Sequence, residues 1–218
     1  MIHSTLTIVV SSYLLGSIPF GYLLVRIFRG EDVRQTGSGN IGATNVARTG
    51  SKRLAIATLL LDALKGYVAV AHALHFAHHH AAEVPPSEPH YVYTLAALAG
   101  FCAIVGHMFP VWLRFKGGKG VATAVGAFLG IAPSGVLVAL VLFVMIVALT
   151  RYVSLGSIVG AAVFPFAAWW LSPDTRSASV MSLISASSLL VILRHKDNVR
   201  RLLSGNENRF GSGNKGPA

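Results

Sequence analysis

Six apolar runs, at residues 4–28, 54–77, 91–111, 121–150, 154–171 and 177–193, dominate the chain. Hydrocarbon offers no partner to a bare backbone N–H or C=O, so runs of about 20 apolar residues read as membrane-crossing helices. Five of the runs make one span each. The 30-residue run holds "IAPSGVL" near its middle, where Pro133, Ser134 and Gly135 predict a turn. That turn divides it into short helices over 121–133 and 135–150. The expected fold is an all-α integral membrane protein of seven transmembrane helices, the fourth and fifth short. Composition agrees, with 53% hydrophobic residues, 12% charged and mean hydropathy +0.62, against about a quarter charged in soluble domains. The first run has full-span length and no basic residue ahead of its apolar core, so it reads as a retained helix and not a signal peptide.

Lys and Arg concentrate in cytoplasmic loops and thereby set orientation. Of 18 such residues, six lie at positions 26–53, three at 114–119, one at Arg151 and six from Arg194 onward; only Lys65 and Arg176 lie elsewhere. Seven spans put 16 of the 18 on one face. That face is expected to be cytoplasmic and to carry the carboxyl terminus, with the amino terminus periplasmic. The topology accounts for the net charge of +10 without nucleic acid, because no basic domain stands clear of the membrane. Cys102 is a lone cysteine in an apolar run, which supplies neither a disulfide framework nor a cysteine metal site.

The polar loops assigned to this face have an unusual chemistry. Loop one reads "TGSGNIGATNVARTGSKR", residues 36–53. Gly37, Gly39 and Gly42 permit positive φ, in which successive N–H groups converge on an anion. Ser38, Asn40, Thr44 and Asn45 add neutral donors, Arg34 and Arg48 add charge, and the next helix is expected to aim its positive end at the same place. Loop two, "GHMFPVWLRFKGGKGVAT", sets Lys116 and Lys119 among three glycines. It lacks the four-residue spacer and the Ser or Thr after the lysine that a Walker loop needs, yet a lysine point charge suits phosphate. The tail, "RHKDNVRRLLSGNENRF", places His195 and Asn198 three apart on one helical face, near Arg194 and Arg201. Asp62 and Lys65, three apart inside the second span, read as a pair with each other or with the loops.

Acidic residues on this face are few: Glu31, Asp32, Asp197 and Glu207. Magnesium-dependent phosphoryl transfer calls for clustered carboxylates, and an ion-driven transporter for several ionisable groups at the midplane. The sequence has neither pattern. His72, His75, His78 and His79 recur at roughly helical spacing, without the Cys or carboxylate cluster that would complete a metal site. What remains is a site of N–H groups, amides, hydroxyls and cations, suited to one or two phosphates without metal or cofactor. Chemistry in which phosphate departs fits it. A transporter or flippase for a phosphorylated metabolite is the alternative.

The stretches "YLLGSIPFGYLLVR", "TGSGNIGATNVAR", "LLLDALKG", "GHMFPVWLRFKGGKGVAT", "RYVSLGSI" and "RHKDNVRRLLSGNENRFG" run in order from residue 13 to residue 211. Together they resemble the bacterial acyl-phosphate:glycerol-3-phosphate acyltransferases, the PlsY family. Trp112 and Gly156 depart from the family pattern. The resemblance implies one membrane-embedded acyltransferase domain over residues 1–218, in the bacterial inner membrane with its site facing the cytoplasm. It implies transfer of a fatty acyl group from acyl phosphate to the 1-hydroxyl of glycerol 3-phosphate, as the first acylation of phospholipid synthesis. Lysophosphatidic acid and inorganic phosphate are the implied products, membrane lipid the surroundings, and no obligate protein partner or cofactor is implied. The His-x4-Asp motif of other glycerolphosphate acyltransferases is missing, its nearest echo being His78 to Glu83. Carried over by position, Ser38, Gly39, Asn40, Gly42, Thr44 and Asn45 are expected to face the acyl phosphate and its developing oxyanion. Arg48, Lys119, Ser154, His195 and Asn198 are expected to grip the phosphate of glycerol 3-phosphate, with His107 and Lys116 supporting loop two. Ser38, Asn40, Arg48, Lys119 and His195 form the expected catalytic set. No carboxylate is expected beside the site, so the substrate phosphate is expected to take the hydroxyl proton, with His195 as the alternative base.

Overall fold

The computed structural model describes residues 2–80 and 90–211. Residues 81–89 of the external loop, including Glu83, lie outside the described residues. All regular structure among the described residues is helical: α1 (Ile2–Ser17), α2 (Phe20–Arg29), α3 (Ala43–Val46), α4 (Lys52–His79), α5 (Tyr91–Met108), α6 (Val121–Leu129), α7 (Pro133–Thr150), α8 (Val153–Leu171), α9 (Ala178–Leu193) and α10 (Lys196–Leu203).

Five stretches are long and apolar enough to cross a membrane: Thr5–Arg29, Lys52–His79, Tyr91–Leu113, Pro133–Thr150 and Val153–Leu171; α9 with α10, bent by 52°, makes a sixth. Two expectations need correction. The first span is broken between α1 and α2 at Ile18–Pro19, because proline removes a helical N–H and crowds the preceding turn. The fourth run does divide, but at residues 130–132, with Pro133 opening α7 where its fixed φ suits a first helical turn. The arms are therefore 9 and 18 residues long. At 1.5 Å per residue α6 rises about 14 Å, under half of a ~30 Å hydrocarbon core.

Non-helical backbone at such a depth must be enclosed by protein. The turn meets that demand: Ile131 and Ala132 are buried, and Gly130 N and Ala132 N donate to Ala127 O and Phe128 O. α6 packs backbone to backbone on α4, since a Cβ at Gly126 would fall 1.8 Å from the Ala63 carbonyl oxygen. Phe128 and Phe164 stack at 4.3 Å within a core that includes Val70, Ile104, Met108 and Val136. α7 instead leaves Leu137, Val144 and Leu149 largely exposed, as a lipid-facing helix would. At one end of the bundle Tyr93 donates to Asp174 and Thr94 meets Ser179. The polar loops gather at the other end.

Candidate active site

Loop one is folded around Asn45, which is 2% exposed. Its Nδ2 lies 2.8–2.9 Å from the carbonyl oxygens of Val33, Thr36 and Asn40, and its Oδ1 accepts from Ser38 N at 2.9 Å. Gly37 has φ +57°, and a Cβ there would meet Asn45 Oδ1 at 2.5 Å, so only glycine fits. Gly39 also has positive φ, but Gly42 is extended at φ −78° and ψ 163°, contrary to expectation. The N–H groups of Ser38, Gly39 and Gly42 go to Asn45 Oδ1, Thr36 O and Asn40 Oδ1. Donors expected to converge on an anion thus hold the loop itself together. The helix that follows is the single turn α3, and α4 starts only at Lys52. Arg34, expected to supply charge, is held by Asp32 at 2.6 Å and lies over the Tyr22 ring. Ser38, Thr44 and Arg48 remain exposed.

Loop two leaves α5 and turns through Arg114 and Phe115, both at positive φ, an uncommon conformation for residues with a Cβ. It then doubles back, Gly117 N and Gly118 N donating to Met108 O and His107 O at 3.1 and 3.0 Å. Arg194, at the end of α9, clamps the return by donating to Gly118 O and Gly117 O at 3.2 and 3.1 Å. Lys116 is exposed on the turn, whereas Lys119 points inward to Asn198 Oδ1 at 2.5 Å.

The tail closes the cluster. Asn198, on α10, donates through Nδ2 to Glu207 Oε1 at 2.7 Å, and Ser154, in the first turn of α8, donates to the same oxygen at 2.9 Å. Arg201 Nε meets Glu207 Oε2 at 2.7 Å. Phe210 N donates to Arg151 O and Arg151 Nε to Phe210 O, fastening the tail to the α7–α8 corner. His195 is buried with Nδ1 2.7 Å from Val191 O; a carbonyl only accepts, so Nδ1 carries the proton and Nε2 keeps a lone pair.

Burial lowers the Lys119 ammonium to about 8; Glu207 opposes this, while Arg201, Arg48 and Arg194 reinforce it. Burial also lowers His195 to about 4, against the hydrogen bond to Val191 O and with the help of the Lys119 charge. Burial works to raise the Glu207 carboxyl, but hydrogen bonds from Asn198, Arg201 and Ser154 outweigh it and hold the group below the usual range. Lys119, Arg48, Arg194 and Arg201 outnumber the one carboxylate among them, and that surplus of cations suits an anion.

A family model described as glycerol-3-phosphate acyltransferase matches residues 6–205. The chain belongs to the glycerol-3-phosphate acyltransferase family. The protein of that name from Rhodopseudomonas palustris (strain BisB5) is 48% identical over 211 residues, covering 97% of this chain and 98% of that one. The one from Agrobacterium fabrum (strain C58) is 47% identical over 201 residues, covering 91% and 88%. The crystal structure of PlsY (YgiH), an integral membrane glycerol 3-phosphate acyltransferase, in its glycerol 3-phosphate form aligns with TM-score 0.80 at 36% identity, covering 95% of this chain and 96% of that one. Its lysophosphatidic acid form aligns with TM-score 0.78 at 35% identity. The chain is thus a membrane protein of the PlsY type of glycerol-3-phosphate acyltransferase.

In this acyltransferase the fold brings together Lys119, Ser154, His195 and Asn198, with Arg48 in electrostatic reach of Lys119. Asn45 is a brace and His107 a support beneath loop two. Glu207 was not anticipated. The expectation that no carboxylate stands beside the site is corrected by its three donors; Asn198 and Arg201 are only nine and six residues away, but Ser154 is 53 residues off and comes to it through the fold.

Proposed function

We propose that this acyltransferase moves a fatty acyl group from acyl phosphate to the 1-hydroxyl of glycerol 3-phosphate, releasing lysophosphatidic acid and inorganic phosphate. The observation that carries the reading is the surplus of positive charge around Lys119: Arg48, Arg194 and Arg201 act on it electrostatically, while the single carboxylate of Glu207 is held by Ser154, Asn198 and Arg201 and Lys119 itself is hydrogen-bonded to Asn198. Such a set of donors suits a phosphate dianion. The relatives named for glycerol 3-phosphate support that acceptor.

A mixed anhydride is already activated, so the protein's work is to juxtapose two anions and stabilise the tetrahedral oxyanion. The glycerol 1-hydroxyl oxygen attacks the acyl carbon, the oxyanion collapses, and the bond from the acyl carbon to the phosphate oxygen breaks. We assign the side chains of Ser38, Asn40 and Thr44 of loop one to the acyl phosphate, with Gly39, Gly42 and Asn45 shaping the loop. Lys119, Arg48, Ser154, His195 and Asn198 are assigned to the acceptor phosphate, and His107 and Lys116 to loop two. His195, lowered to about 4, is a weak base. The acceptor's own phosphate takes the hydroxyl proton in this scheme, and His195 Nε2 orients the acceptor.

We read α6 and α7 as two crossings, one of them short, which gives seven with the amino terminus periplasmic. The loops then face the cytoplasm from a bacterial inner membrane, as the positive-inside bias supports. Release of inorganic phosphate from palmitoyl phosphate by the detergent-solubilised protein, dependent on glycerol 3-phosphate, retained in EDTA and lost with acyl coenzyme A as donor, tests the reaction. A well-folded protein without turnover would favour the transporter.

A further inference from the structure

Beneath loop two lies a polar cluster that the proposed chemistry does not use. Lys65 and Asp62, one turn apart on α4, form an ion pair at 2.8 Å with side-chain exposures of 1% and 3%. Lys65 Nζ also donates to Ile18 O at 2.7 Å, at the break between α1 and α2, and lies 5.6 Å from the centre of the Phe20 ring. Asp62 Oδ1 lies 3.5 Å from Nδ1 of His107, itself 4% exposed on the last turn of α5. The far side of that imidazole touches loop two: a Cβ at Gly118 would fall 1.9 Å from His107 Nε2. Gly118 N donates to His107 O, and the next residue is Lys119.

A buried ion pair in a membrane span is a poor way to glue helices. Apolar side chains of the same size commonly stabilise as well or better, and intramembrane charges are costly enough to ask for another reason. Direction is what this cluster supplies and apolar packing would not. The Ile18 carbonyl and Asp62 carboxylate fix the ammonium, the carboxylate lies against the imidazole at 3.5 Å, and the imidazole forms the floor on which Gly118 rests.

We propose that Asp62 and Lys65 are positioning residues for acceptor binding, acting through His107 to set the height and direction of Lys119. The inference rests on the acyl-transfer reading for its choice of acceptor. It links the break in the first span to the cation that holds the acceptor phosphate, through three side chains from two helices.

The test uses the full chain in detergent and the double variant Asp62→Asn/Lys65→Met, in which both buried charges go together so that neither is stranded. The expected result is a folded protein whose melting temperature stays near the wild-type value. Its KM for glycerol 3-phosphate rises by ~10- to 100-fold, as a small misplacement of a binding group costs, while its KM for palmitoyl phosphate is unchanged. Combined with Lys119→Ala, the double substitution adds no further rise. Wild-type kinetics in the folded double variant, an equal rise in both KM values, or failure of the double variant to fold overturns the proposal. Equilibrium binding of glycerol 3-phosphate separates the two readings. A wild type that binds it without turnover overturns acyl transfer alone, and the variant's affinity then decides the positioning role by the same fold-change. A wild type that neither binds nor turns over overturns both.

Discussion

Lys119 Nζ and Asn198 Oδ1 lie 2.5 Å apart across 79 residues of chain. The same amide donates to Glu207 through its nitrogen, so a neutral side chain separates a cation from an anion and is hydrogen-bonded to both. Asn198 thereby fixes the approach of Lys119 to the tail, and hydrogen bonds link loop two, α8, α10 and the tail to one another.

Lys119 titrates near the top of the physiological range. It is charged below about 8 and neutral above, so the KM for glycerol 3-phosphate should rise with pH through that value, by about tenfold per unit once the neutral form dominates. Lys119→Arg removes this alkaline limb, because a guanidinium stays protonated. Lys119→Ala lowers kcat/KM by about 10²–10³-fold, the loss typical of one preorganised charge-stabilising donor. A pH profile of phosphate release for the three proteins checks all of this.

His195 separates positioning from base catalysis. Neutral above about 4, it orients the acceptor in the proposed scheme, so His195→Gln should retain much more activity than His195→Ala. Kinetics of the two variants with glycerol 3-phosphate binding measured in parallel give the answer. Equal losses of several orders with binding intact would make the imidazole the base.

Glu207 stabilises the tail through its ionised form. Its folded value lies below the ordinary one, so this stabilisation is complete above the ordinary glutamate range and fades as pH falls through the lower, folded value. Glu207→Gln should lower the melting temperature by a few degrees at pH 7, and the gap should narrow as pH falls below the ordinary glutamate range. Thermal melts from pH 7 to below that range give the comparison; a gap that does not narrow contradicts the assignment.

Gly37 and Gly30 make a matched pair of tests. Both have positive φ, but a Cβ at Gly37 would strike Asn45 and the Arg48 side chain, whereas at Gly30 nothing lies within 4 Å. Each Gly→Ala change carries a backbone cost of about 1–2 kcal/mol. Gly37→Ala should lower activity by about tenfold or more at unchanged helical content, and Gly30→Ala should remain near wild type. Circular dichroism alongside the phosphate assay distinguishes a damaged loop from a damaged bundle.

Charge and apolar length made much of this legible. Lys119, His195 and Asn198 stand in polar segments beside apolar runs and Ser154 opens one, which confines all four to the same interface before any contact is known. Asn45 was harder, because an asparagine in a glycine-rich loop serves equally as ligand or brace, and only its burial and four partners choose. Glu207 sits in a polar tail whose partners come from α8 and α10, so its place follows from tertiary contact. Pro133 illustrates a shift of a few residues: proline punctuates a helix, but the same fixed φ that ends one begins another.

Asp62 and Lys65 also bear on how the bundle comes together. Spaced one turn apart, they let α4 enter the bilayer as a neutral pair instead of two separate ions. Their remaining partners, Ile18 O and His107, belong to segments on either side of α4 in the chain. Correct association of three helices is therefore the state in which this pair is best satisfied, and a helix docked out of register would face lipid with unmet polar groups. Charges that burden a single helix act as a check on the assembly of the bundle.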